Sequence, residues 1–80
     1  MMTIQMNWIP DPNDTPVDLA EVLTEIMEFG RGEILAISPG AGGGHEITFT
    51  IDEDNLKELM YGIPWNNKTT WSYEGKEIPL

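Results

Sequence analysis

The sequence predicts a small α+β domain with the element order β-α-β-β-α-β, the split βαβ arrangement of ferredoxin-like proteins, with two helices on one face of a sheet. Two observations support this. Apolar and polar residues alternate in 3–9, 45–51 and 69–74, which is the period of half-buried strands. Apolar residues recur at helical spacing in 16–29 and 53–61. A looser α+β sheet built from the same elements is the alternative.

In the first half of the chain, the strand at 3–9 turns three apolar side chains to one face: Ile4, Met6 and Trp8. "PDPNDTP" (10–16) predicts a turn-rich connector. Thr15 is the expected N-cap of the first helix, with Pro16 in its first turn. The apolar side chains of this helix share a face: Leu19, Val22, Leu23 and Ile26. Gly30 is expected to end the helix.

In the second half, "EILAIS" (33–38) predicts a short apolar strand that forms a hairpin with 45–51 through the flexible loop "PGAGGG". Asp52 is the expected cap of the second helix, and Gly62 with Pro64 marks its end. After the strand at 69–74, "EGKE" is expected to turn into a short tail.

Length and residue types limit the chemistry. Eighty residues form a single domain, near the lower limit of chains that fold without covalent or metal cross-links. The chain has no cysteine and one histidine, His45, so disulfides, thiol catalysis and a Cys/His zinc site are excluded. We expect no metal and no cofactor, and a core held together by packing.

The charge balance restricts the partners. Fourteen acidic and four basic residues give a formal net charge of −10 at pH 7. This excess disfavours direct binding of nucleic acid or an anionic membrane and favours a basic protein partner. The chain has neither an apolar run of transmembrane length nor a signal-like start, so we expect a cytoplasmic protein, either a monomer or a homodimer.

Catalytic motifs are weak, and we predict that the protein is not an enzyme. Ser38 and His45 flank the glycine loop, but a flexible loop does not hold a nucleophile and its base in fixed positions. "PGAGGGH" precedes a strand and has no nearby lysine, unlike a phosphate-binding loop. The acidic cluster at 52–55 is explained by the preference of helix N-termini for acidic residues.

Four acidic residues of the first helix are spaced by 3, 4 and 3 positions: Asp18, Glu21, Glu25 and Glu28. In an α-helix this spacing places them along one face, where like charges destabilise the helix slightly. One interpretation is that this acidic stripe contacts a basic surface and stands in for nucleic acid. The other is an ordinary solvated face of an acidic protein.

The segment "LMYGIPWNNKTTW" (59–71) combines aromatic residues with helix breakers. Trp71 and Tyr73 are expected in a core strand. A tryptophan in a connector lies outside the apolar periodicity that predicts burial, and aromatic side chains are common anchors of binding sites. We therefore predict that Tyr61, Trp65 and Asn66 contact the partner.

The stretch "FTIDEDNLKELMYGIP" (49–64) resembles part of a small phage anti-CRISPR protein. There too, a strand passes through an acidic turn into a helix that ends in Tyr-Gly, an aliphatic residue and Pro. The similarity covers 16 of the 80 residues. The resemblance implies an inhibitor that binds a CRISPR effector, with Tyr61 as a contact.

Together these features predict a small acidic inhibitor or immunity protein that occludes a basic surface, with a nucleic-acid-acting enzyme or a CRISPR effector as the expected target. One alternative is sequestration of a small ligand such as a nucleotide, stacked on Trp65, Trp71 and Tyr73. Another is a small subunit of a phage or cellular assembly.

Overall fold

The computed structural model describes residues 1–13, 16 and 18–79. Five strands form one antiparallel sheet in the order β2-β3-β1-β4-β5: β1 Met2–Trp8, β2 Glu33–Pro39, β3 His45–Ile51, β4 Thr70–Tyr73 and β5 Lys76–Glu77. Helix α1 (Leu19–Thr24) continues directly into a π-helical segment (Glu25–Phe29), and α2 spans Glu53–Gly62. The predicted α+β class with two helices is confirmed.

The core lies where β1 meets its neighbours and the helices. Met6, near the middle of the sheet, lies opposite Ile47 of β3 and Trp71 of β4. Both helices contribute to the same cluster of fully or almost fully buried side chains: Ile4, Met6, Trp8, Val22, Ile26, Ile47, Phe49, Ile51, Leu56, Leu59, Met60 and Trp71. The alternate residues Thr3 and Gln5 are exposed, so the alternation in β1 correctly predicted its buried face.

The π-helical segment and α2 pack against each other at their C-terminal ends. A Cβ atom added to Gly62 would lie 2.7 Å from Cζ of Phe29, so the phenyl ring rests against the glycine. A Cβ atom on Gly30 would lie 3.0 Å from Cδ1 of Ile51 and 3.2 Å from Cδ2 of Leu59. The absence of side chains at these two glycines permits the close approach of the helices to each other and to β3.

The start of α1 differs from the prediction. Asp18 is the N-cap, and its Oδ1 accepts a hydrogen bond from the backbone N–H of Glu21 at 2.9 Å. Because α1 begins at Leu19, the placement of Pro16 in its first turn is wrong. Thr15, the predicted cap, lies outside the described residues.

The glycine loop between β2 and β3 contains a defined turn and packs against β1. It contains a 3-10 turn (Ala41–Gly43), and Gly40 N–H donates to the Gly44 carbonyl at 2.9 Å. A Cβ atom on Gly44 would overlap the Trp8 carbonyl oxygen. A glycine is therefore required here because the loop packs against the end of β1.

The predicted tail instead forms a fifth strand. Glu74 and Gly75 have φ angles of 52° and 79°, and they connect Tyr73 to its partner Lys76. Two central residues with positive φ form the turn that suits a two-residue β-hairpin. The backbone N–H of Ile78 then donates to the Trp71 carbonyl at 2.7 Å and holds the following residues on the sheet.

Candidate partner-binding surface

The acidic stripe changes direction at the transition from α-helix to π-helix. The N–H of Gly30 donates to the Glu25 carbonyl at 2.9 Å, which is the i→i+5 bond of a π-helix. Its wider turn moves Glu28 around the axis, away from the line expected for an α-helix. Asp18 is engaged as the N-cap, Glu25 is half-buried, and Glu21 and Glu28 are exposed.

Two aromatic side chains are exposed on the helices. Tyr61 is 67 % exposed, and Phe29, whose ring rests against the adjacent Gly62, is 43 % exposed. Tyr61 was predicted as a contact residue, and its exposure leaves it accessible. Phe29 was predicted only as the end of a helix, because its contact with Gly62 of α2 depends on how the two helices pack.

The two helices also carry much of the charge. Their 21 described residues contain six acidic residues and one lysine, a net charge of −5 out of the −10 of the whole chain. We call this region the helix surface. It comprises the exposed aromatic residues together with the exposed carboxylates: Phe29, Tyr61, Glu21, Glu28, Glu53, Asp54 and Glu58.

Trp65 is half-buried, and contacts within the fold hold its side chain. Its Nε1–H donates to the Leu59 carbonyl at 2.8 Å, and its ring meets Trp71 edge-to-face with the centroids 5.3 Å apart. Contacts within the fold therefore account for the partial burial of this connector tryptophan, and its contact with a partner stays a prediction. Its packing fixes the connector that follows α2.

Asn66 is 7 % exposed and its side-chain amide is engaged on both sides. Nδ2–H donates to the Ile9 carbonyl at 2.9 Å, which ties the connector to the end of β1. Oδ1 accepts from the Lys68 N–H at 3.0 Å and from the Thr69 hydroxyl at 3.2 Å. The same groups are not available to a partner while these bonds are made.

The proposed stacking trio is not arranged as an open pocket. Trp71 is 1 % exposed, with Phe49 edge-to-face against it at a centroid distance of 6.4 Å. Tyr73 is half-buried and lines a separate groove of about 240 Å³ between α2 and the β4–β5 hairpin. The wall of this groove is mainly apolar: Met2, Leu56, Met60, Tyr61, Tyr73 and Ile78. Tyr61 thus links the groove to the helix surface.

The pair Ser38 and His45 does not form a nucleophile and its base. In the register of β2 and β3, Ser38 lies opposite Glu46, so it shares a face with Glu46 while the neighbouring His45 points to the other face. The Nδ1 atom of His45 is buried and has no hydrogen-bond partner among the described residues. Within residues 1–13, 16 and 18–79, no three His, Asp or Glu side chains are grouped as metal ligands.

Comparison with protein-family models, curated proteins and solved structures gives no match to this chain. The resemblance of residues 49–64 to a small phage anti-CRISPR protein stays a prediction. In the described part of the chain, each helix is too short or too polar to cross a membrane.

Proposed function

We propose that this protein is a small inhibitor that binds a basic surface of a nucleic-acid-acting enzyme and occludes it. The observation that carries the proposal is the helix surface, where half of the net charge accompanies two exposed aromatic rings. Aromatic anchors surrounded by charged residues are typical of protein interfaces in which a few residues dominate the affinity. The acidic residues match the lysine and arginine side chains that line nucleic-acid-binding grooves.

Charge and aromatic contacts have different roles in this mechanism. Long-range attraction between the acidic helices and a basic groove accelerates association, and this effect weakens as salt rises. Burial of Tyr61 and Phe29 slows dissociation, because their rings lose contact with water only in the complex. Inhibition follows from steric exclusion of the nucleic acid and needs no catalytic residue.

The target class includes CRISPR effectors, on the strength of the sequence resemblance alone. Tyr61, which that resemblance implicates, is the most exposed aromatic residue among those described. We place the interaction in the cytoplasm, where such enzymes act.

We also infer that the first four strands form a split βαβ, ferredoxin-like unit. The order β2-β3-β1-β4, with β1 antiparallel to both neighbours, supports this assignment. The fifth strand is then an addition at the edge beside β4. In this arrangement α1 and α2 lie on the same face of the sheet, which brings their acidic residues onto one surface.

Charge reversal on the helices tests the proposed function. Glu28→Lys/Glu58→Lys changes one exposed carboxylate on each helix, and Glu74→Lys/Glu77→Lys makes the same change in net charge on the β4–β5 hairpin. Immobilised wild-type protein and both variants are incubated with the heparin-binding fraction of a cell extract. We expect the wild type and the hairpin variant to capture the same basic protein and the helix variant to lose it.

The salt dependence and a tyrosine variant complete this test. Raising NaCl from about 0.1 M to about 1 M shortens the Debye length from about 10 Å to about 3 Å and should release the captured protein. Tyr61→Ala should weaken capture about 30-fold, the effect of losing roughly 2 kcal/mol at an interface anchor. Equal capture by the wild type and the two charge variants would contradict the proposal.

A further inference from the structure

The edge strand β2 is unusual because its sequence is apolar while its residues are exposed. Six of its seven residues are exposed, including Leu35 at 54 % and Ile37 at 42 %, and Ile34 is half-buried. The strand lies at the end of the sheet and pairs on one side with β3. On its other side, no strand of the described chain covers it.

An open edge of this kind is suited to an additional strand. Its outward N–H and C=O groups alternate along an extended backbone, and another extended chain satisfies them in order. Natural edges are commonly protected by lysine, proline or a bulge. β2 contains no lysine. Two features protect its edge against further pairing: a register shift between Ile34 and Ala36, and the terminal Pro39.

The charge distribution identifies the kind of strand that fits. Residues 34–44 contain no charged side chain, although the chain as a whole has a net charge of −10. A neutral, apolar strand is therefore the best match for this edge, and β2 itself has these properties. We propose that β2 pairs with β2 of a second copy of this chain, in antiparallel orientation about a two-fold axis, so that two sheets join into one.

Antiparallel self-pairing is compatible with the residues of this strand. Beyond the register shift, pairing about Ile37 places Ile37 opposite Ile37 of the second copy and Ala36 opposite Ser38, two residues that share a face in the pairing with β3. Glu33 lies four residues before the central Ile37 in each copy, so the two Glu33 residues are at opposite ends of the paired strands. The two Glu33 residues are then separated by about eight residue positions, roughly 25 Å, which exceeds the Debye length of about 8 Å at physiological salt.

Salt distinguishes this dimer from the inhibitor complex. Two copies of an acidic chain repel each other, so screening should strengthen self-association, whereas it should weaken capture of a basic partner. The dimer also uses the sheet edge rather than Phe29 and Tyr61. Failure of either idea therefore leaves the other testable.

The test is the molar mass in solution, measured by light scattering and sedimentation over a range of concentrations. We expect the molar mass of the wild type to approach twice the 9.0 kDa of one chain as the protein concentration rises. Dimerisation should need a lower protein concentration in about 1 M NaCl than in about 0.1 M NaCl. Leu35→Lys and Ile37→Lys should be monomers. Met27→Lys, a matched change at an apolar residue 48 % exposed outside β2, should remain a dimer.

Hydrogen exchange of the wild-type amides provides a readout that requires no substitution. Exchange in β2 should slow as the concentration rises, since pairing protects the outward N–H groups. A monomeric wild type under all these conditions, or unchanged exchange in β2, would overturn the proposal. It would also be overturned if Leu35→Lys and Ile37→Lys dimerise as the wild type does, or if only a foreign apolar peptide occupies the edge.

Discussion

Asn66→Ala should be among the most destabilising polar substitutions in this protein. The change removes one donated and two accepted hydrogen bonds, and the neighbouring Asn67 provides an exposed, chemically identical control. After truncation, the Lys68 N–H is expected to reach water because its residue is exposed. The Thr69 hydroxyl, in a residue 2 % exposed, and the Ile9 carbonyl lose their partners in a more enclosed position.

The magnitude follows from these two groups. An unsatisfied buried polar group costs about 1–3 kcal/mol, and the Ile9 carbonyl belongs to a half-buried residue, so we expect a loss of about 2–4 kcal/mol in the free energy of unfolding. Such a loss is a large fraction of the roughly 5–15 kcal/mol that stabilises a typical domain. The thermal midpoint should fall by roughly 10–30 °C for a domain of this size.

The assay is urea denaturation followed by tryptophan fluorescence, with Asn66→Ala and Asn67→Ala measured side by side. Asn67→Ala should change the free energy of unfolding by no more than about 0.5 kcal/mol, as is usual for exposed sites. If the two variants have the same stability within that margin, the hydrogen bonds of Asn66 do not hold the connector to β1 and the reasoning is refuted.

Three further substitutions test the packing. Gly44→Ala should lower the free energy of unfolding by about 3 kcal/mol or more, because the added methyl group would overlap a β1 carbonyl. In Gly43→Ala the methyl group meets no atom within 4 Å, and the positive φ of 77° should lower the free energy of unfolding by about 1–2 kcal/mol. Chemical denaturation compares the two variants, and equal losses would contradict the close approach of Gly44 to β1. Gly62→Ala should change the free energy of unfolding by less than about 1 kcal/mol, since the exposed Phe29 ring can rotate away from the added methyl group. The same change should weaken partner capture, and unaltered capture would argue against a role for that ring. Trp65→Phe should lower the free energy of unfolding by about 1 kcal/mol, because it removes the indole hydrogen bond to the Leu59 carbonyl. An unchanged urea midpoint would show that this bond adds no stability.

Much of the fold could be predicted because its signals are local. The alternation in 45–51 matches β3 residue for residue, with Ile47, Phe49 and Ile51 buried. The end of α2 at Gly62 was likewise predicted from a glycine followed closely by a proline. Such patterns depend on residues within one or two turns of each other, which the sequence displays directly.

The candidate site was less predictable because it depends on contacts between distant residues. Asn66 was predicted as a contact from its polar connector, but its amide bonds to a carbonyl 57 positions away. Phe29 joins the helix surface through packing against Gly62, a contact absent from any local pattern. The helical period also missed the π-helical segment, which redirects the acidic stripe at Glu25.

By itself, the sequence determined the α+β class, the large acidic excess and the dependence of the core on packing, because composition and short-range periodicity specify them. Only the tertiary structure decided that Trp65 packs against Trp71 while Tyr61 stays exposed, and that the apolar strand β2 lies at an open edge of the sheet. Burial is a property of what lies next to a side chain in space. For these residues, the neighbours come from other parts of the chain.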